Sequence, residues 1–447
     1  MGKMSLIQFE LNLGLRSLGW RFFVWMPTVI LFRLVQRIVS KIGLCHAELK
    51  SEVFDSLIPK RGPRILFVAT DNNAASGAFR SLVTLAQLVR DQQGYDPIVV
   101  LPYPGTGTAL LDEVHIPHVM ILSVMWGIIP NEGVHIAKRI STSLWRNHFA
   151  VSRIVKVIQQ QEVDLVHVNT TYGYVGALAA KKAGVPLVWH LREFVEEDRG
   201  ASLWHRPTCN QLIASADRVI AISNSIQKKY AKFIPATRLT RIYNGIDTRR
   251  FCRAGRRIQT RGLCTFILLG AFDGHKGHFE FCRACAAIAA RGVKDFQIWF
   301  VGDGQDNVRQ ECATILEKAG LAERVTYWGF QSRPEDYLEK ADIAFMCSRA
   351  EAFGRVTVEA MLTGCLVIGA NTGGTQELIQ DGKTGLLFDF KSGESPDLAE
   401  KMIYALEHRG EMAEIALAGQ KVMAETMTAE RNADEVARVY AELLRKG

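Results

Sequence analysis

Residues 348–361 read Ser-Arg-Ala-Glu-Ala-Phe-Gly-Arg-Val-Thr-Val-Glu-Ala-Met, directly after a short apolar run. The apolar run predicts a buried strand, and the pattern after Gly354 predicts a helix that begins near Val356. Glu351 would then lie in the loop, and Glu359 about one turn inside the helix. Two carboxylates placed in this way can accept hydrogen bonds from paired sugar hydroxyls, because each carboxylate has two acceptor oxygens. The alternative is a surface helix with two solvated glutamates.

Short apolar runs alternate with helical patterns over most of the chain. This alternation is typical of βαβ units, and a turn signal at 243–247 separates two such series. The apolar runs are 64–70, 97–101, 164–168, 185–190 and 218–222, then 265–269, 297–301, 325–328, 343–346 and 366–369. We therefore expect an α/β protein with two Rossmann-like domains, 61–245 and 246–428, that face each other across a cleft. A final helix, 429–447, could cross back to the first domain.

The composition is that of a globular protein. Of the 447 residues, 48% are hydrophobic, which excludes a disordered chain. The nine cysteines follow no disulfide spacing, which favours the reducing cytosol. Cys282 and Cys285 form a lone pair in an apolar stretch and indicate packed thiols rather than a metal site. The body of the chain has no basic stripe with interleaved aromatic residues, so we expect no nucleic-acid partner.

Residues 1–60 form a basic amphipathic N-terminal extension, and residues 1–44 within it carry +5 of the chain's net charge of +8. The longest uncharged run there, 22–32, is eleven residues long, whereas a membrane-spanning helix needs about 20. No small-residue cleavage site of a signal peptide follows it. Basic residues recur every four positions from Arg33 to Lys41 and share one helical face. We expect residues 16–44 to bind an anionic membrane surface, which would make the protein cytoplasmic and peripheral on the cytoplasmic face of the membrane. Docking of this segment on the protein itself is the alternative.

The segment from Glu351 to Glu359 resembles the Glu-x7-Glu motif, within a Glu-x-Phe-Gly context, of the retaining glycosyltransferase family 4. Further motifs match that family in order, namely 244–247, 276–277, 302–304, 329–330, 373–374 with Glu377, and 381–388. The resemblance covers residues 64–445. It implies the GT-B fold, with an acceptor domain followed by a nucleotide-sugar donor domain.

The resemblance also implies roles for individual residues. Glu351 would hold donor-sugar hydroxyls, Glu359 would hold the nucleotide ribose, and Lys276 would face the diphosphate, whose negative charge grows as the glycosidic bond breaks. His190 would lie beside the donor sugar, although a core histidine is the alternative. The expected catalytic residues are thus His190, Glu351 and Lys276. The expected donor-binding and nucleotide-binding residues are Gly77, Gly304, Phe330, Phe353, Gly354, Arg355, Val356 and Glu359. Acceptor contacts are expected from Arg80, Arg192 and Glu193.

The chain departs from the family pattern at two places. The family usually has Arg after the glycine that ends the first strand of the second domain, whereas here Gly270 is followed by Ala271. One phosphate-binding cation is therefore missing, and either Arg355 compensates for it or Lys276 acts alone. The family also commonly has two adjacent glycines before the first helix, where this chain has Ser76-Gly77.

These observations predict a retaining, metal-independent hexosyltransferase. The chain has no Asp-x-Asp sequence, so we expect neither a metal-bound diphosphate nor a cofactor. The expected reaction moves a sugar from a nucleotide-sugar to a lipid-linked or polysaccharide acceptor in cell-envelope glycan synthesis, such as lipopolysaccharide or capsule. The alternatives are a GT-B enzyme with a soluble acceptor, a sugar-nucleotide epimerase, and a catalytically inactive partner subunit, which Ala271 would favour.

Overall fold

The computed structural model describes residue 54 and residues 56–128, 136–256, 258–390 and 396–445. The predicted N-terminal extension, with its membrane-binding segment 16–44, lies outside the described residues except for its end. Among the helices that the structure describes, none combines the length and the apolar character needed to cross a bilayer.

Strands and helices alternate along the first domain. Its strands are β1 (Arg64–Val68), β2 (Asp96–Leu101), β3 (His118–Met120), β4 (Gly127–Ile128), β5 (Leu165–Val168), β6 (Leu187–Leu191), β7 (Ser202–Leu203), β8 (Arg218–Ala221) and β9 (Leu239–Arg241). Its helices are α1 (Gly77–Gln93), α2 (Thr108–Glu113), α3 (Ile136–Gln160), α4 (Tyr174–Ala183), α5 (Glu196–Arg199), α6 (Arg206–Ala214) and α7 (Asn224–Tyr230). A parallel sheet has the order β3-β2-β1-β5-β6-β8-β9, and β4 pairs with β7 in an antiparallel ribbon.

The second domain repeats this architecture. Its strands are β10 (Cys264–Leu269), β11 (Phe296–Val301), β12 (Val325–Tyr327), β13 (Ile343–Met346), β14 (Leu366–Ala370) and β15 (Leu386–Phe388). The helices from the domain junction onward are α8 (Thr248–Phe251), α9 (His278–Ala290), α10 (Asp306–Lys318), α11 (Glu335–Leu338), α12 (Arg355–Leu362), α13 (Thr375–Leu378), α14 (Pro396–Glu407), α15 (Arg409–Thr426) and α16 (Ala429–Leu444). The sheet order is β12-β11-β10-β13-β14-β15, with every pair parallel. The predicted pair of Rossmann-like domains is confirmed.

Helices cover both faces of each sheet, which explains why the strands are apolar without alternation. All five residues of β1 are buried, for example. The helix α1 covers one face of the first sheet with residues such as Phe79, Leu82 and Val89. Ser76 is its N-cap, and the Ser76 hydroxyl accepts a hydrogen bond from the Phe79 N–H.

The C-terminal helix α16 packs on the first domain, against α1. Tyr440 of α16 lies edge-on to Tyr95, with the ring centroids 5.4 Å apart, and its hydroxyl is 2.6 Å from His167 Nδ1. The start of α16 crosses the domain junction at Gly245. A Cβ at that position would lie 2.4 Å from the Cα of Ala429, so the crossing requires glycine there. The chain thus links the two domains at both the junction and the C-terminus.

Candidate active site

Two sets of contacts join the domains at the carboxyl ends of their strands. Arg355 Nη1, at the start of α12, donates a hydrogen bond to Ser81 Oγ on α1 at 2.8 Å. Glu377 of α13 accepts from the backbone N–H groups of Asn224 and Ser225, at 2.7 and 2.8 Å, where α7 begins. These contacts bring the loops after the central strands of both sheets to one cleft.

Glu351 and Lys276 form an ion pair at this cleft. Lys276 Nζ lies 2.9 Å from Glu351 Oε2, and the two side chains are 37% and 24% exposed. The Glu351 carboxylate raises the pKa of Lys276, so the lysine stays charged at neutral pH. Gly277 permits the close approach, because its φ is 75° and a Cβ there would lie 2.0 Å from the carbonyl oxygen of Cys347. The lysine loop after β10 is therefore held against the loop that carries Glu351.

Glu359 also pairs with a cation, one turn earlier on its own helix. Its Oε1 accepts from Arg355 Nη2 at 3.2 Å. Glu359 is only 7% exposed, which excludes the alternative of a solvated surface glutamate. Each carboxylate of the motif thus holds one cation beside the cleft. A ligand rich in hydroxyl groups could take up the remaining lone pairs of both carboxylates.

The loop between these carboxylates packs against the domain junction. Phe353 is buried, with its ring centroid 5.9 Å from that of Tyr243 at the domain junction. Gly354 is the N-cap residue of α12, so Arg355 and Val356 occupy its first turn. The N–H groups in the first turn of a helix have no partner within that helix. Oxygen atoms of a ligand could therefore accept from them.

His190 lies in a buried polar row rather than on the cleft wall. Its side chain is fully enclosed, with Nδ1 3.2 Å from both His167 Nε2 and Arg192 Nη2. Burial, followed by the positive charge of Arg192, lowers the pKa of His190 well below its usual value, so the ring is neutral. The proposed contact of His190 with the donor sugar stays a prediction, and it would require a rearrangement that uncovers the ring.

The three residues expected at the acceptor lie in different environments. Arg192 is buried and donates to the side-chain oxygens of Asn169 and Asn244, and burial lowers its pKa to about 10. Glu193 accepts from the Thr171 N–H at 3.0 Å. Arg80 lies on α1 and donates to the carbonyl oxygen of Ala74 at 2.6 Å. Arg192 thus ties the first domain to the junction, and the acceptor contacts stay predictions.

The other residues expected at the donor site lie in loops and at helix ends of the two domains. Gly77 begins α1, next to the side chain of Arg355. Gly304 pairs with Phe272 across the ends of β10 and β11. Phe330 follows β12 and is 52% exposed. Their contacts with a ligand stay predictions.

Comparison with known proteins agrees with this geometry. A model of group 1 glycosyl transferases matches residues 262–422, and a model of glycosyltransferase family 4 matches residues 75–250. The chain is a glycosyltransferase. The two matches divide it as the two sheets do, and together they support a family 4 type of glycosyltransferase.

Two curated relatives illustrate the range of similar glycosyltransferases. N-acetyl-alpha-D-glucosaminyl L-malate synthase of Bacillus anthracis is 26% identical over 311 residues, which is 66% of this chain and 78% of that protein. The O-antigen biosynthesis glycosyltransferase WclY of Escherichia coli is 24% identical over 230 residues, which is 52% of this chain and 63% of that protein.

A solved structure supports the fold. The crystal structure of Alr3699/HepE of Anabaena, in complex with UDP and glucose, superposes with a TM-score of 0.70 at 24% identity. The match covers 85% of this chain and 100% of that one. The GT-B fold predicted from the sequence is confirmed.

Sequence reasoning missed several residues that shape this glycosyltransferase's cleft. Glu377 belongs to a quoted motif, but its role in capping α7 across the domain boundary was not predicted. Ser81 lies four residues after Gly77 on α1, and that helical spacing was the available signal. Asn169, at the end of β5, gave no local signal. Within the described residues, no group of three or more His, Cys, Asp or Glu side chains could hold a metal ion.

Proposed function

We propose that this glycosyltransferase moves a hexose from a UDP-sugar, with retention of configuration and without a metal ion. The observation that carries the proposal is the pairing of each motif carboxylate with a cation at the cleft, Glu351 with Lys276 and Glu359 with Arg355. The carboxylates suit the hydroxyls of the sugar and ribose, and the cations suit the diphosphate between them. The UDP bound by the Anabaena neighbour supports the choice of base.

The proposed reaction assigns one step to each part of the site. The bond between the anomeric carbon and the diphosphate oxygen breaks, and the acceptor oxygen bonds to the same face of that carbon. The acceptor's hydroxyl proton passes to the leaving phosphate oxygen, so no protein base is needed. Lys276 is positively charged where the leaving group gains negative charge, which stabilises the transition state.

The proposed acceptor is a lipid-linked or polysaccharide intermediate of cell-envelope glycan synthesis, met at the cytoplasmic face of the membrane. The similarity to an O-antigen biosynthesis glycosyltransferase supports this choice. The basic charge of residues 16–44 supports binding to anionic lipid.

A transfer assay tests the proposal. Purified protein is incubated with UDP-glucose, UDP-galactose or UDP-N-acetylglucosamine and envelope membrane extract, in parallel with EDTA and without it. The expected result is UDP release that depends on the extract, together with a product whose α-linkage is established by NMR. A β-linked product would contradict retention, and loss of transfer in EDTA would contradict metal independence. Formation of a free epimeric nucleotide-sugar without any acceptor would instead identify an epimerase.

A further inference from the structure

The side chain of Arg355 spans the cleft between the two domains. It starts at the first residue of α12 and donates to Ser81 Oγ on α1 at 2.8 Å, while its other terminal nitrogen donates to Glu359 at 3.2 Å. Its hydrocarbon part passes the N-terminus of α1 so closely that a Cβ on Gly77 would lie 3.1 Å from Arg355 Cδ. Arg355 therefore places a guanidinium between the start of α1 and the start of α12.

On the opposite side of the proposed diphosphate site, the loop after β10 supplies one positively charged side chain. The loop after β10 provides Lys276, whose side chain folds over Gly270, where a Cβ would lie 3.2 Å from Lys276 Cγ. The next residue is Ala271, which has no charge to offer. A nucleoside diphosphate carries more than one negative charge, so a single lysine leaves part of that charge unpaired.

We infer that Arg355 supplies the second cation for the donor diphosphate, in place of an arginine at position 271. This inference rests on the proposed function. A guanidinium can donate two parallel hydrogen bonds to a phosphate, and the N-terminal end of the 17-residue helix α1 favours an anion at the same place. In the ligand-free arrangement, Arg355 Nη2 is held by Glu359. When ribose hydroxyls bind Glu359, that nitrogen turns to the phosphate.

Different residues would bind the diphosphate and the nucleoside of the donor. Lys276 and Arg355 would act on the phosphates alone, whereas Glu359 would act on the ribose. Removing the guanidinium of Arg355 should therefore weaken the binding of UDP and leave the binding of uridine unchanged. Restoring a guanidinium at position 271 should recover UDP binding, because it brings positive charge back to the same anion from the other side.

The test measures dissociation constants for UDP and uridine by thermal-shift titration. The proteins are the wild type, Arg355→Ala, Ala271→Arg and the double variant Ala271→Arg/Arg355→Ala. We expect Arg355→Ala to weaken UDP binding by roughly tenfold or more, as loss of a charge-assisted hydrogen bond would. Uridine binding should change by less than about twofold, and the double variant should regain most of the UDP affinity.

Two control variants guard against a merely structural effect. Ser81→Ala removes the interdomain hydrogen bond but keeps the guanidinium, so the preference for UDP over uridine should persist. Arg291→Ala removes an exposed arginine that pairs with Glu400 at the far end of α9, so it should change neither ligand's affinity.

The possible outcomes are distinct. An unchanged UDP affinity in Arg355→Ala, or an equal loss for UDP and uridine, would overturn the inference. If Arg355→Ala weakens only UDP binding and the added Ala271→Arg does not restore it, the claim that Arg355 replaces an arginine at position 271 would be overturned. Failure of the wild type to bind UDP at all would instead count against the proposed UDP-sugar donor itself.

Discussion

Lys276 Nζ lies 2.9 Å from Glu351 Oε2, and this ion pair joins the loop after β10 to the loop after β13. The pair puts a cation and a carboxylate side by side at the place where a sugar would meet its diphosphate. Each group satisfies the other until a ligand arrives, and the attraction keeps both loops in position. The proposed chemistry of the site depends on these two side chains acting on different parts of one donor.

The first prediction concerns Glu351. Glu351→Gln keeps the shape of the side chain but removes its charge, so it should lower kcat for sugar transfer by about 100-fold or more. Nucleotide binding should persist, since Glu351 is proposed to hold the sugar and not the ribose. Transfer kinetics and UDP titration on the same preparation check both parts. A loss of UDP binding equal to the loss of transfer would show that Glu351 acts on the nucleotide instead.

The second prediction concerns His278, the first residue of α9. Its ring is buried against Phe272, with centroids 4.2 Å apart, and neither ring nitrogen has a hydrogen-bond partner among the described residues. Burial lowers its pKa from 6.5 to about 4. Between those pH values the unfolded chain binds a proton that the folded protein does not. The free energy of unfolding therefore falls as the pH is lowered from about 6.5 toward 4.

Replacing His278 with phenylalanine should remove its part of this acid sensitivity. We expect the loss of stability between pH 7.5 and pH 5 to be smaller in His278→Phe than in the wild type by about 2 kcal/mol. Urea unfolding at the two pH values measures it. His275→Phe, at an exposed position in the loop just before α9, serves as the control. Equal losses in the wild type and His278→Phe would show that His278 is not held neutral by burial.

The third prediction concerns Glu377 as an interdomain contact. Its carboxylate accepts from two backbone N–H groups of α7 and from the hydroxyls of Ser225 and Tyr243. Glu377→Ala should leave these donors unpaired and cost about 1–3 kcal/mol of stability, while loosening the two domains. Urea unfolding and the radius of gyration by small-angle X-ray scattering check it. Unchanged values of both would mean that the contact does not hold the domains together.

The fourth prediction concerns the basic segment at residues 16–44. Reversing its charge with Arg33→Glu, Arg37→Glu and Lys41→Glu should abolish binding of the full chain to anionic vesicles, because each basic residue contributes about 1 kcal/mol at such a surface. Co-sedimentation with vesicles containing phosphatidylglycerol measures this. The matched control reverses three exposed arginines of the second domain, Arg291, Arg309 and Arg333. Equal binding by both triple variants would show that the segment packs elsewhere.

The sequence predicted the central strands of both sheets. Central strands such as β1 are covered on both faces, so they appear as unbroken apolar runs. The edge strands β3 and β9 have three residues each, and the two-residue ribbon of β4 and β7 is shorter still, so these carried no usable pattern.

Motifs predicted which side chains gather at the cleft, but not how they pair. Glu351 and Glu359 were recognised from their spacing, whereas their cations come from contacts that only the folded chain reveals. The position of His190 at a strand end suggested the cleft. Its buried neighbour His167 is hydrogen-bonded to Tyr440 of α16, a helix far away in sequence. Local pattern therefore predicted which residue types gather at the cleft, and long-range packing determined which of them are buried.

The most direct test of the donor site is the thermal unfolding midpoint with UDP, GDP, ADP and CMP, measured in EDTA for the wild type and Glu359→Gln. A ligand that binds only the folded protein must raise this midpoint. We predict a clear rise with UDP in the wild type, its loss in Glu359→Gln, and its retention in Glu311→Gln, an exposed position on α10. A midpoint that none of the four nucleotides shifts would contradict the account and favour a catalytically inactive partner subunit.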